Sequence, residues 1–369
     1  MMSGHERGAP EAPLVKAAPS PAWDVPGTAG APPGQSPLAA PFWLGDARIP
    51  NRVVLAPMAG LSSSAYRRHM RSHGAGLVTT EMVSAYGLLH GNVRTGEYLD
   101  FAEEERPIAV QLFGDTPDVM ARATEKVLTQ RASRPDVIDI NMGCPVRKVV
   151  RTGAGAAFLA DPARAVAVAA AVVGVAAQAG VPVTVKLRSG MKQGERTVVG
   201  LAPRMEEVGV QGLTVHPRTA DQFYRGAADH AVTAAVVQSV GIPVMASGDM
   251  TSVAGVLMVY EATGATAVMA ARGVAGDPWL VGALLSGRSA ARPPLLEVVD
   301  DLRQLLSLAA AEKGPERAAR WIRKLLGRYL RPSGVPTSEV ERLRRLSDAG
   351  VLDEALLALG AGEIPTVLA

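Results

Sequence analysis

Cys144 and the residues around it are the strongest candidates for chemistry in this sequence. Cys144 is the only cysteine in 369 residues, so it cannot form an internal disulfide or join a cysteine-cluster metal site. A lone cysteine is most often a small, inert core residue. This one lies between Gly143 and Pro145, in a turn that follows a predicted buried strand over 137–141. Because a turn is a poor place for core packing, we expect the thiol to face a pocket. A single cysteine without a disulfide partner also favours a reducing, cytoplasmic setting.

Polar residues also stand at the ends of the other predicted strands. Lys186 and Arg188 lie two positions apart on one strand, so their side chains share a side, where buried cations need an anionic partner. Glycine turns at Gly248 and Gly273 offer backbone N–H groups of the kind that bind phosphate. Any one such residue is usually only a turn or cap residue, but together they predict a site. The full set is Glu81, Gln111, Asn141, Lys186, Arg188, His216, Ser247, Asp249 and Arg272.

The elements that would position these residues alternate between short β-rich runs and helical stretches. Eight runs are predicted, at 53–58, 77–81, 108–113, 137–141, 183–188, 212–216, 243–247 and 266–270. This alternation predicts an α/β fold, a (β/α)8 TIM barrel, whose chemistry lies at the C-terminal ends of its strands. A doubly wound open sheet fits less well, because Ala-Pro-Met-Ala-Gly at 56–60 replaces the nucleotide-binding glycine turn after the first strand.

We predict three regions along the chain. Residues 1–37, rich in Pro, Ala and Gly, form a disordered tail, 38–290 form the barrel, and 291–369 form a small helical bundle. The net charge is only +3, but 313–345 contain ten Lys or Arg against three Asp or Glu. One face of a predicted helix in this segment is basic, and it either binds phosphates or is merely a solvated surface. Its basic residues are Arg317, Arg320, Lys324, Arg328 and Arg331.

Two further patterns bear on rival classes of protein. The longest apolar run, 165–177, falls short of the roughly 20 residues that a membrane span requires, so we expect no membrane insertion. His69 and His73 have the i, i+4 spacing of a metal-binding helix. Met70, however, occupies the place of the zincin glutamate and no third ligand is evident, so we expect no metal site.

From about residue 51 to 279, and more weakly to 329, the sequence resembles the tRNA-dihydrouridine synthases. The strongest match is Ile-Asn-Met-Gly-Cys-Pro at 140–145, which is similar to the family's catalytic loop. The other matching motifs follow in the expected order and are Ala-Pro-Met-Ala-Gly at 56–60, Gln111, Lys-Leu-Arg at 186–188, His-Pro-Arg-Thr at 216–219, Gly248-Asp249 and Arg272. The departures are Ser247 where the family often has Asn, Ala271 where it often has Gly, and Leu325 and Arg328 where His and Trp are frequent. A positive φ at Ala271 would strain the site.

The resemblance implies a bacterial-type enzyme that reduces the C5–C6 double bond of uridines in tRNA. Reduced FMN would deliver hydride to C6, Cys144 would protonate C5 as the general acid, and NADPH would be a transient reductant. Asn141 and Arg188 would bind the uridine, and Arg320, Lys324 and Arg328 would bind the rest of the tRNA. The residues implied to bind FMN are Pro57, Met58, Ala59, Gln111, Lys186, His216, Ser247, Gly248, Asp249, Ala271 and Arg272. We expect a monomer.

Two other functions stay open at this point. An FMN barrel that acts on a free pyrimidine-like substrate would share most of these motifs, but it would not require the basic helical region. A non-catalytic RNA-binding barrel would tolerate the departures at Ser247 and Ala271, but it would have no use for Cys144 and Lys186.

Overall fold

The computed structural model describes residues 31–32, 34–129, 134–289 and 291–362. Most of the predicted tail, 1–37, lies outside these residues. The strands are β1 (Phe42–Leu44), β2 (Ala47–Ile49), β3 (Val53–Leu55), β4 (Val78–Thr79), β5 (Val83–Ser84), β6 (Ile108–Phe113), β7 (Val137–Met142), β8 (Val183–Arg188), β9 (Gly212–His216), β10 (Val244–Ser247) and β11 (Ala267–Ala270). The α-helices are α1 (Ser64–Ser72), α2 (Ala85–Leu89), α3 (Val93–Glu97), α4 (Pro117–Thr129), α5 (Arg147–Val150), α6 (Pro162–Gln178), α7 (Thr197–Glu207), α8 (His230–Ser239), α9 (Val253–Thr263), α10 (Trp279–Ser286), α11 (Leu295–Lys313), α12 (Pro315–Leu330), α13 (Thr337–Arg345) and α14 (Ala349–Gly360).

Eight parallel strands form the barrel, in the order β3-β11-β10-β9-β8-β7-β6-β4. The ring closes where the N–H of Leu55 donates to the carbonyl of Leu77 (2.8 Å) and a single bridge joins Val54 to Leu77. Each predicted run contains one barrel strand, so the predicted TIM barrel is confirmed. The first strand is shorter than predicted and ends at Leu55, just before Pro57, which has no N–H to continue a ladder.

Side chains along each strand alternate between the barrel interior and the surrounding helices. Ile138 and Ile140 of β7 belong to an apolar cluster with the helix layer. The inward positions between them become polar toward the C-terminal end, from Val137 to Asp139 and Asn141. At the other end, the β1–β2 hairpin closes the barrel with an apolar cluster that contains Phe42, Leu44, Ile49, Val54, Ala109, Val137, Met245 and Met269. The polar mouth is therefore the open end.

The helical region that was predicted after the barrel is present as α11 to α14. α11 lies against α1 of the barrel, where the N–H of Ala65 donates to Oε2 of Glu312 (2.7 Å). Apolar residues of the helical region and of the adjoining barrel helices form one continuous core, which includes Ile322, Leu326 and Tyr329 of α12. This shared core fixes α12 against the barrel. Among the described helices, none combines the length and the apolar character needed to cross a membrane.

Candidate active site

The turn that carries Cys144 follows β7 and is held by hydrogen bonds on both sides. The N–H groups of Gly143 and Cys144 donate to Oδ1 of Asn141 (3.3 and 2.9 Å), and the carbonyl of Cys144 accepts from the N–H of Ala156 (3.0 Å). Gly155 approaches so closely that a Cβ there would stand 2.7 Å from the Cys144 carbonyl, and its φ of +63° also favours glycine. These contacts fix the place of the thiol.

The Cys144 side chain is partly exposed at the barrel mouth. Burial raises the pKa of its thiol, although the N–H of Val146 and the positive charges of Arg188 and Lys186 act in the opposite direction. The group is therefore a protonated thiol at neutral pH. It can donate a proton, but it is not a resting thiolate nucleophile.

A buried chain of hydrogen bonds links the barrel interior to the Cys144 turn. Asp139 accepts from Nε2 of Gln111 and from Oγ1 of Thr184, each at 2.6 Å. Oε1 of Gln111 accepts in turn from Nδ2 of Asn141 (2.8 Å), and Oδ1 of Asn141 accepts from the turn. Because an ionised carboxylate can only accept, Asp139 sets the orientation of both amides. Burial raises the pKa of Asp139 to about 6, against hydrogen bonds from Thr184 and Gln111 and the charge of Lys186.

Lys186 lies on the inner face of β8, two residue pairs further toward the mouth than Asp139. Burial lowers the pKa of its ammonium to about 8, helped by the charge of Arg188 and opposed by that of Asp139. Within the part of the chain that the structure describes, Nζ of Lys186 has no hydrogen-bond acceptor or ion-pair partner. The ammonium is thus available to the oxygen atoms of a ligand.

Arg188 joins the Cys144 turn to the loop that follows β9. Its Nε donates to the carbonyl of Gly143 (2.9 Å), and one terminal nitrogen donates to the carbonyls of Thr219 (3.0 Å) and Phe223 (2.8 Å). The guanidinium also lies over the ring of Tyr224, 5.5 Å from its centroid. Most of its donors therefore organise the protein, and the substrate contact predicted for Arg188 depends on the remaining terminal nitrogen.

His216 at the end of β9 is neutral. Burial lowers its pKa to about 2, and the positive charges of Lys186, Arg188, Arg218 and Arg272 add to this effect. A terminal nitrogen of Arg218 lies 3.3 Å from Nε2 of His216, and a guanidinium can only donate. Nε2 is therefore the acceptor and Nδ1 carries the proton, so His216 offers a neutral N–H donor.

Arg218 and Asp249 form an ion pair beside the same histidine, in which Arg218 is buried and Asp249 is exposed. One terminal nitrogen of Arg218 lies 2.8 Å from both carboxylate oxygens, and the N–H of Ala228 donates to Asp249 as well (2.9 Å). Asp249 adopts a φ of +57°, which is uncommon for a residue with a side chain. Its negative charge is thus neutralised by the protein and would not repel an anion at the mouth. Arg218 belongs to the His-Pro-Arg-Thr motif at 216–219, but no role was predicted for it.

The glycines in the turns after β10 and β11 lie so close to neighbouring atoms that a side chain would not fit. A Cβ at Gly248 would stand 2.9 Å from the His216 ring, and the φ of Gly248 is +108°. A Cβ at Gly273 would stand 2.0 Å from a backbone oxygen. Ser247 is buried immediately before the first turn. Ala271 does not adopt a positive φ, so the strain considered for its Cβ does not arise.

Arg272 supplies a positive charge beside these turns. Its guanidinium lies 4.2 Å from the centroid of the Tyr224 ring, which is 54% exposed and also lies beneath Arg188. Among the described residues no carboxylate pairs with Arg272. Tyr224 was not predicted, and nothing in the local sequence indicated that its ring would contact one arginine at the end of β8 and another just after β11.

The loop after β3, which includes the predicted residues 57–59, contacts α12 of the helical region. The carbonyl of Gly60 accepts from Nε1 of Trp321 (3.1 Å) and from Nζ of Lys324. The N–H of the same glycine donates to Oε2 of Glu81 (2.5 Å). Lys324 thus contacts the barrel mouth directly, in addition to the tRNA contact predicted for it.

α12 has one apolar and one basic face. The apolar face is buried, and the side chains of Arg317, Arg320, Lys324 and Arg328 are exposed. A Cβ at Gly276, in the loop after β11, would stand 2.4 Å from Cβ of Arg328. Contacts at both Gly60 and Gly276 place the basic face at the rim of the mouth that contains Cys144.

The family model and the related sequences that match this chain are those of dihydrouridine synthases. A sequence model of the dihydrouridine synthase (Dus) family matches residues 54–356. The chain is 37% identical over 297 residues to a probable tRNA-dihydrouridine synthase 1 of Synechocystis, covering 79% of this chain and 81% of the relative. It is 36% identical over 291 residues to tRNA-dihydrouridine synthase B of Pseudomonas aeruginosa, covering 78% of this chain and 86% of the relative.

Solved structures with a similar fold include an old yellow enzyme homologue from Zymomonas mobilis, with a TM-score of 0.51 and 13% identity over 69% of this chain and 97% of that one. A 2-naphthoyl-CoA reductase has a TM-score of 0.53 and 11% identity, over 68% of this chain and 52% of its own length. At these identities the likeness concerns the barrel fold alone.

Proposed function

Because this chain belongs to the dihydrouridine synthase family, we propose that it reduces uridines in tRNA to dihydrouridine, as an FMN-dependent oxidoreductase with NADPH as external reductant. The observation that carries the proposal is the protonated Cys144 thiol at a barrel mouth bordered by the basic face of α12. A small free substrate would not need that face.

The side chains at the mouth fit an anionic flavin cofactor. Lys186 and Arg272 are cations without acidic partners among the described residues, and His216 offers a neutral N–H. Lys186, His216 and Gln111 would hold the polar edge of the flavin ring, while Arg272 and the turns at Gly248 and Gly273 would hold the phosphate. Ser247, Asp249, Ala271 and residues 57–59 would line the same cavity. Reduced FMN, when bound, supplies the hydride that C6 of the uracil receives.

Cys144 supplies the second hydrogen, as a proton to C5. Saturating the C5–C6 bond requires one hydride and one proton, so the uracil keeps its charge and the sulfur becomes a thiolate. Arg188 and Lys186 lower the pKa of this sulfur and so stabilise the thiolate that the step leaves. Because the side chain is partly exposed, water can return the proton.

The tRNA would contact the basic face of α12 while one uridine leaves its stack and enters the mouth. Such extrusion costs a few kcal/mol, which contacts to the rest of the RNA must offset. Asn141 is oriented by Gln111, and it would position the uracil beside Cys144.

The test is an anaerobic flavin assay with Cys144→Ala and the neighbouring control Val146→Ala. Wild type and control should be reduced by NADPH and reoxidised by unmodified tRNA. Cys144→Ala should bind and reduce FMN equally well but be reoxidised by tRNA about 10²–10⁴-fold more slowly, the usual contribution of a general acid.

Reoxidation of Cys144→Ala at the wild-type rate would refute the role of the thiol. Reoxidation of wild type by a free pyrimidine, and not by tRNA, would instead favour the small-substrate alternative. A protein that binds tRNA but no FMN would be the non-catalytic one.

A further inference from the structure

A cluster of metal-ligating side chains lies between the barrel and the helical region, away from the mouth residues described above. Nε2 of His69 is 3.1 Å from Oδ2 of Asp301, and Nε2 of His73 is 2.7 Å from Oδ1 of the same carboxylate. His69 lies on α1, His73 is the residue directly after that helix, and Asp301 comes from α11, 228 positions beyond His73. The missing third ligand, which made a metal site improbable from the sequence, is thus supplied by another element.

We propose that His69, His73 and Asp301 bind one divalent cation of the zinc class, a site that is independent of the proposed tRNA reduction. The i, i+4 spacing puts His69, on α1, and His73, the residue that caps its C-terminus, on the same side, and both present Nε2 to the same carboxylate. Imidazole nitrogen and carboxylate oxygen are ordinary zinc ligands. All three ligand atoms lie within 4.8 Å of one another.

The distances suit zinc with small adjustments. In a tetrahedral site with bonds of about 2.0–2.1 Å, neighbouring ligand atoms stand about 3.3 Å apart. The two observed nitrogen–oxygen distances, 3.1 and 2.7 Å, are shorter by a few tenths of an ångström. Zinc binding would therefore lengthen these two separations slightly and gather the three ligand atoms, which lie within 4.8 Å of one another, around one ion. A water molecule would complete the coordination.

Aromatic side chains surround the ligands and leave a route for the ion. The hydroxyl of Tyr329 lies 3.2 Å from Nε2 of His69, and Trp279 packs edge-on against His73 with ring centroids 6.0 Å apart. The side chain of His69 is 1% exposed, whereas those of His73 and Asp301 are 17% and 11% exposed. An ion can therefore enter past His73 and Asp301.

The same three residues also form a hydrogen-bonded cluster when both Nε2 atoms carry protons. Zinc would bind through the Nε2 lone pairs instead, and each neutral imidazole would then carry its single proton on Nδ1. The bound ion would connect α1 to α11 and so tie the barrel to the region that carries the basic helix.

The experiment titrates Zn²⁺ into chelator-treated, full-length protein in competition with a chromophoric chelator. Wild type should bind one Zn²⁺ per chain, and the thermal-unfolding midpoint should rise with Zn²⁺. His73→Gln and Asp301→Asn should each weaken binding by on the order of a hundredfold or more and remove the rise in midpoint. The control His90→Gln changes an exposed histidine on α2's C-terminal side and should behave as wild type.

Circular dichroism of each chelator-treated variant separates loss of the site from loss of the fold. If His73→Gln fails to fold, Asp301→Asn decides. Equal Zn²⁺ affinity in wild type and the folded variants, or no binding by wild type, would show that the cluster is only hydrogen bonded and would overturn the proposal.

Discussion

The substitution Asp139→Asn tests how the buried carboxylate acts on the flavin site. Asparagine keeps an acceptor for Gln111, and its amide nitrogen can donate to the Thr184 hydroxyl, so the orientation of the amides is preserved. Only the negative charge is lost. The residue affected is Lys186, whose pKa of about 8 is held up by Asp139.

The expected change follows from strand geometry. Asp139 pairs with Thr184 and Lys186 lies two residues beyond, so the two charges are about 7 Å apart, the usual diagonal spacing between neighbouring strands. At an effective dielectric constant of about 20, their attraction is about 2.4 kcal/mol, which corresponds to roughly 1–2 pKa units. The Lys186 pKa should therefore fall to roughly 6–7 in the variant.

The assay measures FMN binding to the flavin-free protein between pH 5.5 and 9, with quenching of the flavin fluorescence as the readout. Binding favours the charged lysine, so wild-type affinity should decline as pH rises through about 8. In Asp139→Asn the decline should begin at about pH 6–7, and the affinity at pH 7.5 should be roughly tenfold lower. Asp118→Asn, which removes an exposed carboxylate, is the matched control. An unchanged pH midpoint in Asp139→Asn would refute the coupling.

The thermal stability of Asp139→Asn should not fall as its FMN affinity does. The pKa of Asp139 is raised in the folded protein from 3.8 to about 6, so the stabilisation from its protonated form is present below pH 3.8 and lost as pH rises through about 6. Asparagine imitates the protonated form at every pH. We expect flavin-free Asp139→Asn to unfold at the same or a higher temperature at pH 7.5, with a gain of up to about 3 kcal/mol.

Other substitutions test the remaining parts of the site. Lys186→Met should weaken FMN binding at pH 7 and abolish its dependence on pH near 8, as measured by the same titration. Arg188→Lys should leave FMN content unchanged but slow flavin reoxidation by tRNA about tenfold or more, because it cannot bridge the carbonyls of both loops. Charge reversal at Arg320 and Arg328 should weaken tRNA binding and reduce its salt slope by about one to two, without changing FMN content. Gly276→Ala should lower the unfolding temperature, since the added Cβ would stand 2.4 Å from Arg328 at a φ of +102°.

The barrel could be predicted because its strands are short β-rich runs, and all but the first have a polar residue at or near the C-terminal end. The hydrogen-bond network could not, because it depends on strand register. Thr184 becomes a partner of Asp139 only when β7 and β8 pair at those residues. Contacts between distant elements were equally hidden, since Lys324 reaches Gly60 across 264 positions.

To act as a general acid, Cys144 must stay protonated until the uracil is bound and must then donate its proton readily. Burial raises the pKa of the thiol and so preserves the acid, while Arg188 and Lys186 stabilise the thiolate. Lys186 can do so only while it is charged, and its pKa of about 8 leaves a narrow margin above neutral pH. Asp139 provides that margin. The Gln111–Asn141 amide pair separates Asp139 from Cys144. Loss of the Asp139 charge should nevertheless weaken both flavin binding and proton donation by Cys144.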